Sequence, residues 1–299
     1  MAAANMKAVK LRIKSVQNTM QITKAMQLVA ASKLRKAKEK ADRSKPYFKI
    51  MRETLTEIAR GNTDFQSPYT KQVKNDKWLY IVIAGDRGLA GGYNANLFKF
   101  MESETKGRDY MVLPVGKKSV EYFRQRGVEL FTEDFVEVAR ISNSECFGIA
   151  KLICDAYSEG KFGHVLLCYT DFVSMMTQTP RSTSLLPLSD FEEEAAVEGE
   201  EKKPVRDLIL YEPDSETVFN AIVPEYLAGL LYTSINVSVA SELAARRTAM
   251  EAATDNAGEM IEKLSLYYNR ARQASITQEI TEIVAGAEGN YTQGVHIHE

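Results

Sequence analysis

From Val9, steps of alternately four and three residues reach Ile13, Val16, Met20, Thr23, Gln27, Ala30, Leu34, Ala37, Ala41, Ser44, Phe48, Met51, Leu55 and Ile58; twelve of the fifteen are apolar. A repeat averaging 3.5 residues, held over some seven heptads, puts one apolar stripe on a helix that must wind left-handedly around a partner. Alanine at Ala30, Ala37 and Ala41 lets the partner backbone come close. Pro46 removes one helical hydrogen bond, so a kink or local break is expected there. Helical throughout, residues 5 to 60 would span about 80 Å. A second stripe runs through Leu243, Arg246, Met250, Ala253, Ala257, Met260, Leu264, Tyr267, Ala271 and Ala274, nine of ten apolar, then shifts to Ile276, Ile280, Ile283 and Ala287. No proline follows Pro224, so this helix is expected to run uninterrupted until Gly286 caps it.

Between the two stripes the periodicity changes. Trp78–Ala84, Tyr110–Val115 and His164–Thr170 are short apolar runs of the buried-strand type. Helical stretches alternate with them at about 94–104, 117–126 and 142–159, a pattern that predicts a small, mostly parallel α/β sheet. Phe172–Leu188 and Arg206–Tyr211 read as a β-ribbon on its edge. Asp190–Glu201, with seven acids and no base, reads as a solvated loop. The expected fold is α/β: a long antiparallel left-handed coiled coil of N- and C-terminal helices with a Rossmann-like α/β domain inserted between them. The corresponding divisions are 1–62 and 216–286 for the helices, 75–215 for the insert, and 287–299 for a flexible tail.

Charge sharpens this picture. The net charge of the 299 residues is −2, but residues 1–60 carry 15 Lys and Arg against 4 acids, a balance of +11 that leaves −13 for the rest. A nucleic-acid helix would interleave aromatics with its bases, and residues 7–45 have none. A membrane-surface helix would set bulky apolar residues opposite its lysines, whereas this stripe is rich in alanine. Lys33, Arg35, Lys36, Lys38, Lys40, Arg43 and Lys45 are left as a solvated face or a surface for acidic protein partners. No apolar run approaches the roughly 20 residues that cross a bilayer. Cys146, Cys154 and Cys168 fit neither a disulfide framework nor a metal site, which suits a reducing compartment.

Candidate chemistry is sparse. The loop Gly85-Asp86-Arg87-Gly88-Leu-Ala-Gly-Gly follows a strand and precedes a helix, where phosphate sites occur, but it lacks both common phosphate-loop spacings. A tight turn with Asp86 and Arg87 free for polar contacts is the alternative. His164 opens a strand and reads as structural. His296 and His298 lie in the tail without further metal ligands, and no serine has a GxSxG context. Neither a catalytic set, a metal site nor a cofactor site is expected.

Ile13–Arg35 (IKSVQNTMQITKAMQLVAASKLR) resembles the start of the γ subunit of F-type ATP synthases. Ala252–Ala257 (AATDNA) and Tyr268–Ala287 (YNRARQASITQEITEIVAGA) are similar to its C-terminal signature, and Gly85–Gly91 and Leu210–Asp214 also agree. Departures are Gly85, where Ser is usual, and a longer tail past Ala287. The resemblance implies a non-catalytic central rotor shaft, whose terminal helices enter the α3β3 hexamer while the α/β domain sits near the membrane ring. By position it assigns Lys24, Met26, Arg272 and Gln273 to contact with catalytic β subunits, and Tyr211 and Glu212 to the foot on the c-ring. It further implies the α, β and ε subunits and the c-ring as partners, no cofactor, and a peripheral place on the cytoplasmic face of a bacterial membrane. A coiled-coil tether with an α/β domain is the alternative that shares the heptads.

Overall fold

The computed structural model describes residues 2–60, 66–71, 74–135, 137–188 and 211–295. Its elements are α1 (Ala2–Arg60), β1 (Trp78–Ile83), α2 (Tyr93–Glu104), β2 (Tyr110–Val115), α3 (Lys117–Gln125), α4 (Asn143–Ser158), β3 (His164–Phe172), β4 (Gln178–Leu186) and α5 (Ser215–Val295). A 3-10 turn spans Val138–Arg140. The chain packs as two units, residues 30–248 and residues 1–29 with 249–299.

The larger unit holds a four-stranded sheet in the order β2-β1-β3-β4. β1 pairs parallel with β2 and with β3, and β4 closes the edge antiparallel to β3. Side chains alternate across β1 because a strand has period two. Tyr80, Val82 and Ala84 pack with Leu97 and Met101 of α2 and Phe123 of α3. Leu79, Ile81 and Ile83 face Ile149 and Ile153 of α4, Leu55 and Ile58 of α1, and Phe219 and Leu227 of α5. The sheet is therefore buried on both faces, which is why its strands read as unbroken apolar runs.

Local signals set the helix starts. Ser142 and Glu145 form a reciprocal capping box at α4. Asp214 caps α5 by accepting from the Thr217 amide at 2.7 Å and from its hydroxyl at 2.8 Å. These donors hold the Asp214 carboxyl below its ordinary pKa.

In the same unit α1 lies against α5 with the two chains running in opposite directions. Leu34 and Ala37 meet Leu243 and Ala240 in one small core, the Ser44 hydroxyl bonds that of Thr233 at 3.1 Å, and Phe48 sits over Gly229. A Cβ at Gly229 would lie 1.5 Å from the Phe48 ring, so only glycine admits this approach. These last two contacts flank Pro46, and α1 continues through it as helix where the sequence suggested a break: packing on either side fixes the turn that the missing amide weakens. The most apolar stretch of α5 has mean hydropathy 1.2 and is half buried, as expected of a core helix.

In the smaller unit the Thr23 and Thr254 hydroxyls bond at 2.7 Å between α1 and α5, and Thr23, Gln27, Met250 and Ala257 are buried. The α1 stripe turns inward along its whole length: all fifteen positions are buried or half-buried. The α5 stripe differs from expectation. Met260 and Tyr267 are exposed at 44% and 50%, while Ile261, Leu264, Tyr268, Ala271 and Ser275 face inward. Ile276, Ile280 and Ile283 are exposed as well. Nor does α5 end near Gly286; it continues to Val295 through Gly286, Gly289 and Gly294, each of which costs a helix only about 1 kcal/mol. The acidic stretch 190–201, the expected strand at 206–210, and His296 and His298 lie outside the described residues.

Candidate functional site

In the order β2-β1-β3-β4 the connection that follows β1 leads toward β2 and the one that follows β3 leads the other way to β4, so the strand order reverses beside the C-terminal end of β1. In an open α/β sheet that is where ligands bind, and there the loop Gly85–Gly92 emerges. Its backbone is held from several sides. The Gly85 amide donates to Asn94 Oδ1 at 2.9 Å, and the Gly85 carbonyl accepts from the Lys118 amide at 3.0 Å. Asp86 Oδ1 accepts from the amides of Lys117 and Val138 at 3.3 and 3.1 Å, and Oδ2 from that of Ala139 at 3.4 Å. Asp86 thus joins the loop to the start of α3 and to the 3-10 turn.

Beyond Asp86 the loop turns outward. Arg87 and Gly88 are exposed, and Leu89, 65% exposed, sits at φ 63, a left-handed conformation that costs a branched side chain energy. The crevice beneath is filled by α5. The Glu242 carboxylate lies 3.0 Å from where a Gly85 Cβ would project, and Arg246 Nη2 donates to Glu242 Oε1 at 2.6 Å. Both side chains are largely buried, at 11% and 14% exposure. Arg246 Nη2 also reaches the carbonyls of Gly88 at 3.2 Å and Arg87 at 3.5 Å. Burial pushes the Glu242 carboxyl above its ordinary pKa, opposed by Arg246, while Asp86 pushes it further up. A carboxylate and its counter-ion therefore stand where a nucleotide fold would receive a phosphate. Sequence reading missed Glu242; its only signal was a Glu–Arg spacing of four beside Ser234, Ser238 and Ser241.

Hydroxyl contacts continue the joint along α5. Tyr93 Oη donates to Ser238 Oγ at 3.2 Å, the Thr170 amide donates to the same oxygen at 3.2 Å, and Ser241 Oγ donates to the Thr170 carbonyl at 3.0 Å. Burial raises the Tyr93 phenol well above its ordinary pKa.

The other sequence-derived candidates fall in separate places. Lys24 is exposed and Met26 half-buried; Arg272 and Gln273 are both exposed on α5. Thr23 touches Thr254, eighteen residues before Arg272, which separates the two pairs by about 27 Å along the helix. They stand at two levels and do not form one site. In the larger unit Tyr211 packs partly on the core, with its phenol pKa raised by burial and then by Glu57, and Glu212 is exposed.

Among the described residues no group of three or more His, Cys, Asp or Glu is arranged to hold a metal. Cys146, Cys154 and Cys168 are buried free thiols, the first two pushed up to about 12 by burial. His164 stacks on Trp78 at 4.1 Å, with the Arg108 guanidinium 4.1 Å from the same indole.

Residues 5–289 match a protein family described as ATP synthase. The chain is 49% identical over 286 residues to the ATP synthase gamma chain of Ruminococcus albus, covering 94% of this chain and 96% of that one. It is 44% identical to the gamma chain of Alkaliphilus metalliredigens, over 95% and 98% of the two chains. Among solved structures, a chain of the Euglena gracilis mitochondrial ATP synthase rotor superposes with a TM-score of 0.64 at 17% identity, over 92% of this chain and 99% of that one. A chain of the same enzyme in another rotational state gives 0.67 at 18% identity, over 96% and 95%. At that identity the likeness is one of fold.

Proposed function

The chain belongs to the ATP synthase gamma-chain family, and on that premise we propose that it is the central rotor shaft of an F-type ATP synthase. Its rotation couples ion movement through a membrane c-ring to conformational change in catalytic β subunits. The observation that carries this reading is the division of labour along α1 and α5. Residues of each helix face the other at Thr23–Thr254, Leu34–Leu243 and Ser44–Thr233, as an antiparallel, left-handed coiled coil would require, which leaves Lys24, Arg272 and Gln273 outward for surrounding subunits. Two unlike helices present a different profile at every angle, so each rotor position favours a different set of conformations in three equivalent neighbours.

The reading extends to the rest of the chain. The subunit is non-catalytic, with Glu242 occupying the crevice of its Rossmann-like insert. Lys24 and Met26 serve one level of β-subunit contact, Arg272 and Gln273 another, and Tyr211 and Glu212 the foot on the c-ring. The exposed bases Lys33, Arg35, Lys36, Lys40 and Arg43 suit acidic loops on α and β, and the ε subunit completes the stalk on the cytoplasmic face of the membrane. The experiment is affinity purification of the tagged chain from gently solubilised membranes. Co-elution of α, β, ε and c subunits in an ATP-hydrolysing complex is expected; recovery of the chain without α and β would overturn the proposal.

A further inference from the structure

Three features of the β1–α2 loop lack a role in the shaft reading: a buried ion pair on α5, a guanidinium that spends donors on two main-chain carbonyls, and a leucine held at φ 63 immediately after them. They are neighbours, and one arrangement accounts for all three. Arg246 Nη2 contacts Glu242 Oε1, the Gly88 carbonyl and the Arg87 carbonyl at 2.6, 3.2 and 3.5 Å. Glu242 in turn fills the space that Gly85 leaves open. The loop is thus gripped through its backbone by one charged nitrogen rooted in α5.

We propose that Arg246 is a positioning residue for rotary coupling: its guanidinium clamps the Gly85–Ala90 loop to α5, so that the α/β insert and the helix turn as one body under load. The proposal rests on the rotor-shaft reading. Torque between an insert and the helix that carries it acts as shear at their contact. Apolar surfaces resist separation but slide with little cost, because burial is non-directional. Hydrogen bonds are directional and weaken steeply when misaligned, and those to a charged donor are about twice as strong as neutral ones. Among the described residues α5 bonds to the insert at Ser238, Ser241, Arg246 and Thr248, and of these only Arg246 is charged. It is also the one that reaches the outward turn, whose strained Leu89 persists only where its surroundings hold it. A lysine could neutralise Glu242 as a point charge, but its side chain is one bond shorter, so its ammonium would fall short of the place from which Nη2 meets the carboxylate and the two carbonyls.

That difference supplies the test. Arg246→Lys keeps the charge, and Glu242→Gln with Arg246→Met removes both charges together, so neither leaves a buried carboxylate unpaired. Each full-length variant is examined for amide exchange at residues 88–90. Each is also assembled into the complete ATP synthase in vesicles, where ion pumping per ATP hydrolysed is measured. The clamp predicts exchange at least tenfold faster in both variants, ATP hydrolysis retained, and a several-fold fall in ions pumped per ATP. Parental exchange in both variants would overturn the clamp, and parental pumping alongside accelerated exchange would overturn its role in coupling. If one variant does not fold, the other gives the same reading. Failure of the parental chain to assemble with catalytic subunits would instead defeat the rotor reading, and the exchange arm would still decide the clamp.

Discussion

Arg272 and Gln273 show how much a residue's role depends on what it does not touch. Both are exposed beside half-buried Ala271, so replacing them with alanine should leave helix content and melting temperature nearly unchanged. A charge-assisted contact to a neighbouring subunit contributes about 1.5 to 3 kcal/mol; its loss should lower ATP turnover of the assembled complex. Unfolding of the double variant, or parental turnover, would contradict the assignment. Glu242 is the opposite case. Arg246→Met leaves a buried carboxylate alone, which costs about 3 kcal/mol or more. Glu242 has its pKa raised in the folded protein, so its titration favours folding below its unfolded pKa, and that contribution fades as pH rises through the folded value. Losing Arg246 raises the folded value further, so the variant's deficit against the parent should be smallest at acid pH and grow toward neutral. Urea melts at pH 5 and pH 7.5 test this, and a deficit independent of pH would refute it. This residue was illegible in the sequence because a glutamate four before an arginine reads as a solvated helix pair; its burial depends on where a loop 150 residues earlier returns.

At the scale of elements, the terminal helices were legible and their meeting was only half so. Every position of the α1 stripe turns inward. On α5, Met250, Ala257, Leu264 and Ala271 belong to two possible stripes, one continuing through Met260 and Tyr267 and the other through Ile261 and Tyr268, and both are apolar. The partner chooses between them: the Thr23–Thr254 bond selects the second. The strands were readable because both sheet faces are buried, whereas the joint between insert and α5 rests on hydroxyls that carry no periodic signal. A tight approach of the two helices in the larger unit is likewise made by one small residue, Gly229. Gly229→Val would drive its side chain into Phe48 and should cost about 1–3 kcal/mol as overpacking. Adding Phe48→Ala should return part of that loss. A double variant no more stable than Gly229→Val in chemical denaturation would contradict the contact.

As a whole molecule, the chain is a central shaft that turns within an ATP synthase. Residues 1–60 carry a balance of +11, and the exposed Ile276, Ile280 and Ile283 add little adhesive chemistry. An apolar sleeve can hold such a surface without fixing it at one angle. The most direct measurement uses the three buried cysteines, which leave the native chain without an accessible thiol. Lys106→Cys places one reactive thiol on the exposed side of the insert. With the α and β subunits fixed to a surface and a bead on that thiol, ATP should drive the bead in one direction, pausing three times per turn. A bead that only fluctuates about a fixed angle while the same complexes hydrolyse ATP would contradict the account.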